Sequence, residues 1–172
     1  YFPDTWKISE IILIPKPGKD LTIASSYRPI SLLPCLSKIF EKLLLLKIKP
    51  YILSRNIIPD HQFGFRENHG TIEQVNRITG EIRKCYEQKE YCSAIFLDVA
   101  QAFDKVWHEG LIFKIKRLLP KNVHNIFESY LINRKFRVRY VDYVTTDYEI
   151  HAGVPQGSVL GPTLYLLYTA DI

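Results

Sequence analysis

The 172-residue sequence has no methionine and opens at Tyr1 in what reads as ordinary folded sequence, so it is expected to be an internal piece of a longer polypeptide. Cysteine is scarce. Cys35, Cys85 and Cys92 are odd in number and lie at no metal-ligand spacing, which excludes a disulfide framework and a zinc module. They read as small buried hydrophobes or bystanders. No apolar run approaches the ~18 residues needed to cross a bilayer, and no basic segment followed by an apolar stretch opens the chain. The expected setting is intracellular, nuclear or cytoplasmic, with no membrane and no secretion. Acidic residues are outnumbered: 23 Lys plus Arg against 18 Asp plus Glu leave +5, a balance that suits a polyanionic partner without requiring one. With 47% hydrophobic and 13% aromatic residues the chain can bury a core, so disorder is excluded. Its length fits one domain or a large part of one.

Patterning predicts a mixed, α+β chain. Ile8 to Ile14 is rich in β-branched residues and stops at Pro15-Lys16-Pro17-Gly18-Lys19-Asp20, a turn cluster. Tyr27-Arg28-Pro29-Ile30 begins a second extended stretch, because residues before proline avoid the helical region. The two are expected to make a hairpin with lysines at its tip. From Ser37, Ile39, Phe40, Leu43, Leu44 and Leu46 recur at helical spacing, and Pro50 is expected to kink or end that helix. Thr71-Ile72-Glu73-Gln74 reads as a capping box built on Thr71 and Gln74, followed by Ile72, Val75, Ile78, Ile82 and Cys85 on one face.

Tyr91 to Leu97 is a short apolar run that reads as a buried strand with Asp98 at its carboxyl end. Helices are expected near 109–119 and 123–132, then a half-exposed strand at Phe136 to Tyr140 with 145–150 pairing back on it. Gly153-Val154-Pro155-Gln156-Gly157-Ser158 reads as a turn, and Leu160 to Tyr168 as the start of an apolar helix. A strand-end aspartate alone is usually a turn former or helix cap, and Gln156 alone would be incidental. The ordered set is more specific: a Pro-Lys-Pro-Gly loop, Tyr-Arg-Pro-Ile-Ser from Tyr27, Phe-Leu-Asp ending at Asp98 with Phe103 five residues on, then Val-Pro-Gln-Gly-Ser and Leu-Gly-Pro.

From Trp6 onward these phrases, with Ile57 to Arg66, Ala102 to His108 and Leu164 to Tyr168, resemble the reverse transcriptase domain of non-LTR, jockey-like retrotransposons. The resemblance implies a right-hand polymerase represented by fingers and a partial palm, thumb absent. It divides the chain into 1–88 as fingers, 89–108 as palm strand and first catalytic motif, 109–157 as a return through the fingers and 158–172 as the start of a second palm segment. It implies RNA-directed DNA synthesis with an RNA template, a DNA primer, dNTP and two divalent ions, Mg2+ or alternatively Mn2+. Oxygen ligands suit such ions.

By the same resemblance Asp98 is the catalytic aspartate that bridges both metals, and the Val99 carbonyl adds a ligand. Phe103 lies under the incoming sugar and leaves no room for a 2′-hydroxyl; core packing is a compatible reading. Arg28 and Lys16 clamp the triphosphate, Arg as a planar fork and Lys as a point charge, with Lys19 competing for the lysine role. Gln156 touches the nucleotide near the sugar, and Gly157 lets backbone approach the base pair, or simply serves the turn. His61, Phe63, Phe65 and Arg66 would lie against the template, or in the core. Arg134, Lys135, Arg137 and Arg139 form a basic stripe for the template backbone, or a solvated strand face. Asp104 reads as a helix cap, and no chemistry is assigned to any histidine.

The family completes its metal site with an Ala-Asp-Asp hairpin, and Thr169-Ala170-Asp171-Ile172 does not match it. The missing C-terminal palm and thumb then leave this stretch inactive by itself, with 92–98 and 158–172 expected to exchange amides fast and the helix from Thr71 slowly. Two other readings stand beside this one: a decayed or domesticated remnant acting as a basic RNA-binding module, and a group II intron maturase-like polymerase.

Overall fold

A computed structural model describes residues 1–171; Ile172, the last residue of the expected second palm segment, lies outside them. β1 (Ile8–Pro15) and β2 (Tyr27–Leu32) form the expected antiparallel hairpin, with Ile12 opposite Ile30 and Ile14 opposite Arg28. Its loop carries Lys16 and Lys19. β1 also pairs in parallel with β3 (Lys135–Tyr140), bringing Glu10 level with Arg137. β4 (Tyr143–Val144) and β5 (Tyr148–Glu149) return along the other edge of β3 as two antiparallel pieces whose register differs by one residue. The sheet is therefore mixed, ordered β2-β1-β3-β4 with β5 also on β3.

Helices α1 (Cys35–Ser54), α3 (His108–Leu118), α4 (Lys121–Leu131) and α5 (Gly161–Thr169) enclose the core. Leu44 and Ile48 of α1, Leu111 and Ile115 of α3, Phe127 of α4 and Leu164 and Leu167 of α5 are all buried there. Phe2 closes one end, edge-on to Tyr130 with ring centroids 5.0 Å apart. No helix among the described residues is long and apolar enough to cross a membrane.

Helix α1 departs from expectation in two ways. It runs through Pro50 to Ser54 because Pro50 lies on the exposed face, where water reaches the carbonyl that loses its donor. Its buried stripe is Ser37, Glu41, Leu44, Ile48 and Ile52, while Ile39, Leu43 and Leu46 face out. A polar pair thus occupies the inner face where the pattern of leucines alone would place hydrocarbon.

Helix α2 (Thr71–Gln88) forms where predicted, but its cap is shifted by one residue: the Gly70 N–H donates to Glu73 Oε2 at 2.8 Å, and Gln74 takes no part. None of its side chains is buried. Ile72, Val75, Ile78 and Ile82 remain exposed, whereas α5 buries Leu164, Leu166 and Leu167. Side-chain burial thus favours α5 over α2, the opposite of the order in which the sequence suggests their amides are protected.

The largest correction concerns 91–98, expected as a buried strand. The segment is unpaired, and Ile95, Phe96 and Leu97 are 87–89% exposed. A strand needs a neighbouring edge to satisfy its backbone, and among the described residues none lies beside it. Cys35 and Cys92 are likewise exposed and Cys85 half-buried, so the buried-hydrophobe reading does not hold for the first two.

Candidate nucleotide site

The loop from Gly153 to Ser158 is tied down on three sides. Its Gly153 and Val154 N–H groups donate to the Val106 and Phe103 carbonyls, both at 2.8 Å, and Trp107 bridges Ala152. Ser31 of β2 donates its N–H to the Gln156 carbonyl at 2.7 Å. His108 Nε2, which must be the protonated nitrogen because a carbonyl only accepts, donates to the Gly153 carbonyl at 2.7 Å. Burial lowers the His108 pKa, opposed by that hydrogen bond, so the ring is held neutral.

Two glycines permit this path. Gly153 has φ +91 and Gly157 φ +114, and a Cβ would sit 2.8 Å from the Asp104 carbonyl oxygen in the first case and 2.7 Å from that of Ser31 in the second. Side chains are excluded at both by conformation and by space. Gly157 is thus already required by its approach to β2.

The loop ends on the buried Glu41 of α1. Its Oε2 accepts from the N–H groups of Val159 (2.8 Å) and Leu160 (3.1 Å), and Oε1 accepts from the Ser37 hydroxyl (3.1 Å). The Ser158 hydroxyl accepts from the Gly161 N–H at 2.7 Å. Together these satisfy the amides of Val159, Leu160 and Gly161 where the loop enters α5.

Pinned in this way, the loop delivers Gln156 to a cavity of about 510 Å³ whose walls include Lys16, Arg28, Gln101, Asp104 and Gln156. The hairpin places Lys16 at the end of β1 and Arg28 on β2, so three residues far apart in the sequence share one concave surface. Arg28 enters none of the ion pairs among the described residues. The Lys16 ammonium spends one donor on the Ser25 carbonyl at 2.8 Å and keeps others free. Two cations in one hollow, one a fork and one a point charge, suit a multiply charged anion such as a phosphate chain. Lys19 stands outside this lining.

Asp104, expected as a helix cap, instead accepts from Gln156 Nε2 with both carboxylate oxygens, at 2.9 and 3.0 Å. The N-terminus of α3 has no side-chain cap. Phe103 stacks on Tyr165 with centroids 5.0 Å apart and takes the edge of Phe65 at 5.3 Å. The template candidates thus divide: Phe65 joins this aromatic group, whereas Phe63 packs against His69 and under Arg77, and His61 is exposed. Arg66 turns back on its own loop, to the Pro59 carbonyl at 3.1 Å and Asp60 at 3.4 Å.

The basic stripe is not uniform either. Arg137 pairs with Asp147 (3.3 Å) and Arg139 with Glu10 (2.7 Å), while Lys135 is exposed. Arg134 is fully buried, lies over the Tyr130 ring at 4.7 Å and donates to the Tyr130 carbonyl, so it leaves the stripe altogether. It could not track a template backbone from there.

Asp98 and Val99 lie outside the cavity lining, on the exposed 91–99 segment. Among the described residues no three His, Cys, Asp or Glu side chains gather to hold a metal ion. One carboxylate and a carbonyl do not make a site for divalent ions, so these residues do not fit the metals that the resemblance implies. Asp171 pairs with Lys114. The partners of Asp104, His108 and Glu41 are not legible in the sequence because they stand 45 to 119 residues away; no local pattern marks such pairs.

Comparison with known proteins bears on the same stretch. The family described as "Reverse transcriptase (RNA-dependent DNA polymerase)" matches residues 14–172. Over all 172 residues the chain is 49% identical to a probable RNA-directed DNA polymerase from transposon BS and 49% to one from transposon X-element, both of Drosophila melanogaster. It is 48% identical to the RNA-directed DNA polymerase from mobile element jockey of the same species. The chain spans 19% of the length of each of these relatives.

Proposed function

Because the chain belongs to the reverse transcriptase (RNA-dependent DNA polymerase) family, we propose that it is the nucleotide-binding part of a non-LTR retrotransposon polymerase, comprising fingers and the first segments of a palm. The observation that carries this reading is the convergence of Lys16, Arg28 and Gln156 on one cavity. In that reading Arg28 and Lys16 hold the triphosphate of an incoming dNTP, and Gln156 meets its sugar. Phe103, stiffened by Tyr165 and Phe65, lies beneath the sugar and excludes a 2′-hydroxyl. RNA template and DNA primer are the macromolecular partners.

Reverse transcriptases of this family use divalent metal ions. The described residues do not by themselves make a site for such ions, so its carboxylates would have to be completed from outside them. The exposed run at 91–98 fits the same reading, since a palm strand stays bare until a neighbouring strand pairs with it. The RNA-binding remnant draws less support, because three of the four stripe residues are buried or ion-paired.

The test is primer extension on an RNA template by a polypeptide that carries this chain at the length of its relatives. RNA-templated DNA synthesis is expected. Arg28→Ala is expected to raise the KM for dNTP by about 10- to 100-fold, the size of one or two charge-assisted hydrogen bonds, with a smaller effect on kcat. An Arg28→Ala enzyme with an unchanged KM would refute the assignment of this cavity.

A further inference from the structure

We infer that Asp104 is a positioning residue that decides which end of the Gln156 amide an incoming nucleotide meets, an inference that rests on the nucleotide reading above. A carboxylate can only accept hydrogen bonds. The two contacts at 2.9 and 3.0 Å therefore orient the amide with its NH2 end on Asp104. The carbonyl end, Oε1, is left without a partner among the hydrogen bonds of the described residues and is free to accept from a bound molecule.

Both residues are held by backbone. The Asp104 N–H donates to the Gln101 carbonyl at 3.0 Å, and Ser31 fixes the Gln156 carbonyl. The neighbours of the pair are zipped together where Val154 N–H meets the Phe103 carbonyl. Relaxation of the pair by loop movement is thus restricted, and the orientation is built in before any nucleotide arrives.

A second observation supports the assignment. Asp104 puts a negative charge on the wall of a cavity whose cations, Lys16 and Arg28, suit a phosphate chain. Such a charge opposes the binding of a triphosphate and is useful only if it does something else there. Orienting Gln156 is that use: an acceptor fixed beside the phosphate site selects a nucleotide whose sugar presents a hydroxyl donor, and disfavours one that lacks it. Gln156 is half-buried in the free chain; a nucleotide seated over it would shut off water, so an acceptor built to receive a hydroxyl would be left unpaired by a sugar that lacks one.

The experiment uses the same full-length polypeptide on a poly-rA template with an oligo-dT primer, comparing dTTP with ddTTP. Asp104→Ala is expected to lower the preference for dTTP by about tenfold, mainly through KM, and Asp104→Asn, which keeps the volume, to lower it in the same direction. In a Gln156→Ala background, Asp104→Ala is expected to have no further effect on that preference. In the 172-residue chain, the 15N-labelled Gln156 side-chain amide is expected to move upfield in Asp104→Asn. An unchanged dTTP preference in both Asp104 variants, equal effects with and without Gln156, or an unmoved amide resonance would each overturn the role of Asp104. Failure of the unsubstituted polypeptide to extend the primer would overturn the polymerase reading itself.

Discussion

Replacing Glu41 tests whether a buried carboxylate on α1 holds the loop that carries Gln156. In Glu41→Ala the N–H groups of Val159 and Leu160 and the Ser37 hydroxyl lose their acceptor at once. Leu160 is fully buried and Val159 half-buried, so water can replace the carboxylate at only one of the two amides. An unsatisfied buried donor costs about 1–3 kcal/mol and loss of a helix cap about 1 kcal/mol, and the two overlap here. A loss of about 2–4 kcal/mol is expected, against a total of roughly 5–15 kcal/mol for a domain. Glu41→Gln keeps an acceptor for the amides, and its cost at neutral pH is expected to stay near 1 kcal/mol.

The two variants also separate in pH. Burial raises the Glu41 pKa above its ordinary 4.5, against the hydrogen bonds from Leu160, Ser37 and Val159 and the charge of Arg134. A raised acid binds its proton more tightly in the folded state. Its contribution to stability is therefore full below 4.5 and lost as pH rises through the higher folded value. Urea unfolding followed by circular dichroism, with midpoint and slope measured across that window, is the assay. Wild type is expected to gain on Glu41→Gln as pH falls. A Glu41→Ala protein within about 0.5 kcal/mol of wild type, the range of ordinary surface substitutions, would refute the capping role. A wild type that loses ground to Glu41→Gln on acidification would refute the account of its ionisation.

Other consequences of the structure can be checked as directly. Gly157→Ala, with a Cβ 2.7 Å from the Ser31 carbonyl at φ +114, is expected to destabilise by about 1–3 kcal/mol in thermal melts, more than Gly80→Ala, where the added Cβ meets open space. His108 has a lowered pKa, so its contribution is full above the usual 6.5 and lost as pH falls through the lower folded value; His108→Gln is expected to flatten the pH dependence of unfolding in that window. Amide exchange by mass spectrometry is expected to be fast in 91–99, slow in α3 and α5, and faster in α2 than in either, because no α2 side chain is buried.

Much of the fold was legible in the order of residues, because strands, helix periodicity and turns are local properties. The β1–β2 hairpin follows from β-branched residues on one side of a Pro-Lys-Pro-Gly turn and proline-restricted residues on the other. Helices α3, α4 and α5 follow from apolar spacing, and the set Lys16, Arg28 and Gln156, which lines one cavity, follows from phrases that read as a family. What depended on distant neighbours was decided by tertiary structure alone. The apolar run at 91–98 has strand composition, yet a strand exists only beside an edge, and among the described residues none is offered. Arg134 and Arg137 belong to one run of basic residues, yet one ends over the ring of Tyr130 in the interior and the other opposite Asp147 at the surface. Asp104 looked like a cap because sequence shows only its near neighbours; its partner Gln156 stands 52 residues on. Periodicity reports which face of an element is apolar, whereas hydrogen bonds and charge pairs form wherever folding brings donors to acceptors, and that placement is a property of the packed chain.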